Sequence, residues 1–357
     1  MFDQITSFEN LYQAYRLVRR LKRHRVAQQR YELRLEVNLA RLQKRLRSQK
    51  YRPRAYRQFM VHEPKMRQIA APHFEDRIVH QAIVRVIEPQ IVPTFIPTTY
   101  ACIKGRGTHR AVLDLQQALG SHSPDSFFLK ADIRHYFASI DHQGLKQIIR
   151  RHISCPKTLS LLDQIVVSFE AELGKGIPIG NLTSQLFANM YLSDLDRFAH
   201  DSGMHSYFRY MDDFVVVADQ KQQLLQFLKD TERFLREELA LEIHPKKRLV
   251  QRTSFGIDFC GYHVFTDHIL MRKKTLRRFV RKYKRAHNKL TALKRQQQTL
   301  LFPDLEPQLG ECIQVLEAKL AQSVTSHSGF LRYAQLDLSS DQFAYANNIR
   351  LPYHPQL

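Results

Sequence analysis

At 357 residues the chain is long enough to bury a substantial core and to hold two or three subdomains. Lys and Arg number 55 against 34 Asp and Glu, and the resulting formal charge of +21 favours a polyanionic partner, of which nucleic acid is the usual one. No run approaches the roughly 18 apolar residues of a membrane span, no charged-then-apolar leader opens the chain, and Cys102, Cys155, Cys260 and Cys312 are too scattered for a disulfide framework or structural zinc.

Widely spaced thiols fit a reducing cytosol. The positive charge is concentrated in two arms: residues 1–70 hold 18 Lys/Arg and 5 acids, and residues 271–300 hold 12 Lys/Arg and no acid. Residues 5–48 read as two helices, because Leu11, Tyr15, Val18 and Leu21, and then Leu35, Leu39, Leu42 and Leu46, recur at helical spacing. Residues 56–61 and 65–70 predict a strand pair turned at Glu63-Pro64. A helix is expected over 75–90, ended at Pro89, before a turn-rich segment over 93–107.

The centre alternates strand and helix. A strand runs to Asp132, helices follow over about 141–170, and a glycine-rich loop spans 174–180. One long helix is then expected to carry Leu186, Met190, Tyr191, Leu195 and Phe198 on one side. Past residue 213 come a helix over 221–239, two short strands around 247–265, and helical sequence from 272 onward, broken at 302–307. Segregated sheet and helices with a terminal helical stretch make this an α+β chain.

The chemistry is concentrated at Tyr210-Met211-Asp212-Asp213, which joins two apolar, β-rich runs through a pair of acids. Adjacent carboxylates at a hairpin tip repel, so they are a poor device for stability and a good one for holding divalent metal. An ordinary turn would be the default explanation for an isolated Asp-Asp. Here Asp132 ends another apolar run 80 residues upstream, and the three acids together match what a two-metal nucleotidyl transfer needs.

These blocks, in this order, resemble reverse transcriptases. Phe128-Leu-Lys-Ala-Asp132-Ile-Arg-His-Tyr-Phe137 is similar to the family's first catalytic block, and Tyr210-Met-Asp-Asp213 to its best-known signature. Gly176-Ile-Pro-Ile-Gly-Asn-Leu-Thr-Ser-Gln185 resembles the block between them, and Phe259-Cys-Gly-Tyr262 the primer-grip turn. The likeness runs from roughly residue 50 to 335. Most prokaryotic relatives read Pro-Gln-Gly and then Ser-Pro in the middle block, where this chain has Pro178-Ile179-Gly180 and Ser184-Gln185. That departure is similar to the enzymes of diversity-generating retroelements, which copy a template RNA with errors at adenines.

The resemblance implies a right-hand polymerase: a basic helical extension over 1–50, fingers over 51–125, a palm with an antiparallel sheet over 126–265 (finger helices inserted near 141–172) and a helical thumb over 266–357. It implies two Mg²⁺ ions held by Asp132, Asp212 and Asp213 with the Ile133 carbonyl, Asp213 either ligating or supporting the hairpin. Lys247 matches the lysine near the leaving pyrophosphate, with Lys246 one residue away. Lys65 and Arg67 share a strand face and would grip the triphosphate, Arg67 by a bidentate fork. Phe137 would exclude a 2′-hydroxyl, Ile179, Gly180 and Gln185 would line the deoxynucleotide pocket, and Phe259, Gly261 and Tyr262 would grip the primer. The implied partners are template RNA, the RNA/cDNA duplex, deoxynucleoside triphosphates and a small basic accessory protein, with no membrane. A reverse transcriptase of another prokaryotic group and an inactive RNA-binding scaffold are the alternatives.

Overall fold

The computed structural model describes residues 1–20, 26–62, 66–298 and 306–333. Two compact units emerge, Met1–Gly107 with Phe127–Gln251, and Thr108–Ser126 with the chain from Arg252 onward.

Among the described residues the first unit opens with four helices rather than the expected two: α1 (Phe2–Ile5), α2 (Phe8–Arg19), α3 (Val26–Glu32) and α4 (Leu35–Arg47). Ser7 separates α1 from α2, its hydroxyl accepting the Asn10 amide at 3.1 Å as an N-cap. Arg34, at φ −136°, interrupts the next helical run. The apolar stripe is as the spacing predicts, with Leu11, Leu39 and Leu42 buried and the basic faces turned outward; Leu21 lies outside the described residues.

Strands β1 (Arg57–Val61) and β2 (Arg67–Ala71) pair antiparallel as expected, while the turn at residues 63–65 lies outside the described residues. Helix α5 (Phe74–Ile91) runs past Pro89, which the sequence reading took as its end. Pro89 sits on the exposed face of the last turns, where water can serve the carbonyl four residues back that a proline leaves unpaired. The N-terminal helices are seated on α5 by the Arg45–Glu75 ion pair and by the Tyr51 hydroxyl donating to Asp76 Oδ1 at 2.7 Å. Burial pushes the Asp76 carboxyl up, against that hydrogen bond.

Helix α6 (Thr108–Leu119), which the sequence reading did not anticipate, belongs to the second unit. The first unit continues with β3 (Phe127–Asp132), α7 (Tyr136–Ser139), α8 (His142–His152), α9 (Pro156–Val166), α10 (Leu182–Tyr191) and α11 (Ser193–Asp201). The single long helix expected here is broken at Leu192. The Ser193 hydroxyl donates to the Met190 carbonyl at 2.7 Å, local competition for a helix acceptor that restarts the chain as α11. Strands β4 (Tyr207–Tyr210) and β5 (Asp213–Ala218), helix α12 (Lys221–Leu239) and β6 (Leu249–Arg252) complete it.

The sheet order is β4-β5-β3-β6, with β5 antiparallel to both neighbours and Phe127↔Ala218 through Asp132↔Asp213 in register. Phe214, Val215 and Val216 are all buried, as befits a central strand covered on both faces.

In the second unit β7 (Ile257–Phe259), β8 (Tyr262–Val264) and β9 (Ile269–Met271) form a three-stranded antiparallel sheet. The stretch 247–265, where two short strands are expected, holds three, β6, β7 and β8, divided between two sheets. Helices α13 (Lys273–Gln298) and α14 (Glu306–Tyr333) pack together, with Lys294 paired to Glu317 at 2.6 Å. Most of the break expected at 302–307 lies outside the described residues, and Glu306 and Pro307 already belong to α14. Segregated sheets and helices of this kind are the α+β class that the sequence predicts. None of the four cysteines forms a disulfide, and no helix among the described residues is long and apolar enough to cross a membrane.

Ala240 caps α12 in the left-handed region at φ 50°, exposed to solvent. An L side chain there is strained and glycine is not. Ala240→Gly is expected to raise the free energy of unfolding by about 0.5–1 kcal/mol, measured by urea titration, despite glycine's larger unfolded-state entropy.

Candidate active site

Sheet register brings the predicted acids together. Asp132 is the last residue of β3 and Asp213 the first of β5, and the two are direct cross-strand partners. Asp212 precedes β5, and its carbonyl accepts the Ile133 amide at 3.1 Å, tying the hairpin tip to the end of β3. Beyond Asp132 the chain is held by a second pair of main-chain bonds, His244 amide to Asp132 carbonyl and Arg134 amide to Glu242 carbonyl, both 2.8 Å. Met211, between Tyr210 and the acids, takes a left-handed conformation at φ 61° to make the tight turn.

Two lysines answer the carboxylates. Lys247 Nζ lies 2.6 Å from Asp132 Oδ1. Lys130, two residues before Asp132 on the same strand face, places Nζ 3.0 Å from Asp213 Oδ2. The other Asp213 oxygen, Oδ1, is buried without a hydrogen-bond partner. Burial, then the charge of Asp132, pushes the Asp212 carboxyl up to about 6. Burial also raises Asp213, against the opposing charge of Lys130.

These are hard oxygen donors of the type Mg²⁺ takes. Among the described residues no three His, Cys, Asp or Glu side chains form a ready-made cage. The fit is instead to an ion held by one or two carboxylates and completed by substrate phosphates, which is the usual arrangement for Mg²⁺.

A second group of predicted residues is stitched together by main-chain hydrogen bonds. The Ile179 carbonyl accepts the Ala70 amide at 3.3 Å, joining loop 174–180 to β2, which carries an exposed Arg67. The Ile177 amide donates to the Phe137 carbonyl at 2.8 Å, joining the same loop to α7, where Phe137 is half-buried and packs edge-on against Tyr136. Gly176, at φ 102°, would put any Cβ 2.8 Å from the Ala171 backbone, so only glycine fits. A Cβ on Gly180, at φ 110°, would lie 3.1 Å from the Ile69 side chain. Ile179 is half-buried, and Gln185 is half-buried in the first turn of α10. Lys65 lies outside the described residues.

Phe259, Gly261 and Tyr262 stand at the β7–β8 turn of the second unit. Cys260 and Gly261 both have positive φ, the signature of a type I′ hairpin turn, with Phe259 and Tyr262 paired across it.

The profile of the reverse transcriptase (RNA-dependent DNA polymerase) family matches residues 61–264. The chain belongs to the reverse transcriptase family. It is 24% identical over 287 residues to protein YkfC of Escherichia coli (strain K12), covering 68% of this chain and 74% of YkfC. It is 26% identical over 172 residues to the group II intron-encoded protein LtrA of Lactococcus lactis subsp. cremoris, covering 46% of this chain and 28% of LtrA. Among solved structures, telomerase from Candida tropicalis with a fragment of telomeric RNA aligns at a TM-score of 0.49 and 12% identity, over 87% of this chain and 61% of that one. The chain thus spans about three-fifths of that telomerase and under a third of LtrA.

Sequence reasoning missed Lys130 and the buried pair Arg209–Asp196 behind the hairpin. Lys130 had a legible signal, a cation two residues before an acid at the end of an apolar strand. Arg209 had one too, a charge inside a strand whose neighbours are Phe208 and Tyr210.

A carboxyl raised in the folded chain binds its proton more tightly than in the unfolded one, so it costs stability once pH exceeds the ordinary carboxylate value of about 4, and fully so above about 6. In metal-free buffer Asp212→Asn is therefore expected to be more stable than wild type by about 1–3 kcal/mol at pH 7–8. The gain should shrink as pH falls through 6 and vanish below about 4, read by thermal melting across pH.

Proposed function

We propose that this reverse transcriptase makes cDNA from a template RNA in a diversity-generating retroelement, with errors at template adenines. The observation that carries the polymerase reading is the convergence of Asp132, Asp212 and Asp213 at two paired strand ends, with Lys247 on the first. Asp132 and Asp212, with the Ile133 carbonyl, would hold two Mg²⁺ ions, and Asp213, anchored by Lys130, would support the hairpin or ligate. When bound, the ions would activate the primer 3′-hydroxyl and neutralise the triphosphate.

The chain's own part is positioning and charge. Arg67 and Lys65 would clamp the triphosphate, and Lys247 would stand near the leaving pyrophosphate. Phe137, Ile179, Gly180 and Gln185 would shape the sugar and base pocket, the Phe137 ring selecting deoxynucleotides. Phe259, Gly261 and Tyr262 would seat the primer. We assign 1–50 to a basic extension, 51–125 to fingers, 126–265 to palm and 266–357 to thumb. In the thumb, α13 carries a run of bases suited to non-specific phosphate contacts. Template RNA, the RNA/cDNA duplex and a small basic accessory protein would be the partners, in a prokaryotic cytoplasm.

The retroelement reading rests on Ile179 and Gln185. The likeness to a group II intron-encoded protein favours a second reading, a reverse transcriptase of another prokaryotic group. A neighbouring template-repeat and variable-repeat pair in the genome decides between them.

Asp132→Asn and Asp212→Asn are each expected to reduce extension on poly-rA/oligo-dT to below a few per cent while leaving duplex affinity near wild type, since phosphate contacts by Lys and Arg dominate binding. Loss of binding in parallel with activity would contradict the assignment.

Ile179 cannot donate or accept the hydrogen bond that a glutamine amide would offer near the incoming nucleotide, a bond worth roughly 0.5–1.5 kcal/mol or about 2- to 10-fold in discrimination. Ile179→Gln is expected to lower misincorporation opposite template adenine severalfold with most synthesis retained, scored by sequencing cDNA from one template. An unchanged error spectrum would place the infidelity elsewhere in the pocket.

A further inference from the structure

Arg209, one residue before the hairpin signature, is 0% exposed, and polar partners surround its guanidinium. Nε and Nη2 reach the two oxygens of buried Asp196 at 2.5 and 2.6 Å. Asp196 is completed by the Tyr207 hydroxyl at 3.0 Å and the Thr99 hydroxyl at 2.8 Å. The third nitrogen, Nη1, donates to Asn189 Oδ1 at 3.3 Å and to the Met211 carbonyl at 3.0 Å. Asn189, on α10, in turn donates to the Ala101 carbonyl at 2.7 Å. The Arg209 backbone is held as well, its amide on the Thr98 carbonyl at 2.9 Å and its carbonyl on the Tyr100 amide at 3.0 Å.

A buried ion pair is a weak device for stability alone, because apolar residues of similar volume usually do as well or better. An apolar side chain would not hold the Met211 carbonyl. That carbonyl belongs to the peptide linking Met211 to Asp212, at a residue already forced to φ 61°. Fixing its plane fixes the direction in which the Asp212 side chain leaves the turn, while Asp132 and Asp213 beside it push the carboxylate away. Only the five-donor fork of arginine can serve Asp196 and the tip at once.

We propose that Arg209 is a positioning residue for polymerisation: braced on Asp196 and Asn189, it locks the Met211–Asp212 peptide so that the Asp212 carboxylate stays aimed into the site. The claim rests on the reading of Asp212 as a metal ligand. Partners behind a metal ligand typically contribute about 10- to 100-fold in affinity or activity.

The test compares wild type with Arg209→Lys, the double variant Arg209→Met/Asp196→Leu, and Asp212→Asn, each bound to template–primer duplex. Mn²⁺ binding is read by electron paramagnetic resonance, folding by thermal melting, and kcat and KM on poly-rA/oligo-dT. Arg209→Lys is expected to fold, to bind Mn²⁺ about 10- to 100-fold more weakly and to lose kcat in proportion, with KM and duplex affinity unchanged. The double variant is expected to regain wild-type melting without regaining Mn²⁺ affinity or kcat. Wild-type Mn²⁺ binding and kcat in either folded variant would overturn the proposal. Failure of both to fold would overturn it as well, since Arg209 would then support the fold and not the tip. If Asp212→Asn itself leaves Mn²⁺ binding unchanged, the ligand reading fails instead, and the anchoring role is decided by kcat alone.

Discussion

Like charge crowded at one sheet end is the constraint around which the first unit is arranged. Asp132 and Asp213 face each other across β3 and β5, with Asp212 next in the chain, and their mutual repulsion is sharpened by partial burial. Each compensating feature has an identifiable place. Lys247 and Lys130 take one carboxylate each, main-chain bonds at Ile133, Arg134 and His244 pin the strand end, and the buried Arg209 hub braces the tip. The apolar centre of β5 supplies the stiffness that lets this arrangement persist, since unfavourable local geometry survives only where its surroundings over-determine it.

A second principle shapes the group of residues around loop 174–180. Its parts come from β2, from loop 174–180 and from α7, segments 35 or more residues apart in the chain, and what joins them is backbone. Main-chain bonds at Ile179 and Ile177 fix the loop's height whatever the side chains are, which leaves Arg67, Phe137 and Ile179 free to vary in chemistry on a constant frame. Gly176 is required for that frame, because its Cβ would collide with the Ala171 backbone. The side chain at Ile179 can therefore change without disturbing the loop that carries it.

The charge of the chain divides between roles. In the second unit, α13 buries Phe279 and turns most of its bases outward, a surface suited to a polyphosphate backbone and not to a specific sequence. The N-terminal helices pair an inward leucine stripe with outward Arg and Lys, and two of those bases are committed: Arg45 to Glu75, and Arg19 to Glu32, which also accepts the Tyr15 hydroxyl. Burial, with that hydrogen bond, raises Tyr15 to about 12, so it stays a donor throughout the physiological range.

Much of this was legible in the chain. Alternating apolar runs ending in acids announced the strands and the hairpin, leucine spacing announced the buried stripes of α2 and α4, and the order of the motif blocks announced the polymerase family. Local pattern could not show where helices break, because Ser7, Arg34 and Ser193 act through caps and competing hydrogen bonds that periodicity does not register. Nor could it show that Pro89 would be tolerated, since that depends on which face meets solvent. Tertiary structure alone decided the partners: Lys130 with Asp213, Lys247 with Asp132, and Arg209 with both Asp196 and the Met211 carbonyl. Sequence specifies which side chains carry charge; only the register of β3 on β5 and the docking of α10 and α11 behind them determine which charges meet, because Coulomb and hydrogen-bond energies depend on distances that no one-dimensional pattern contains.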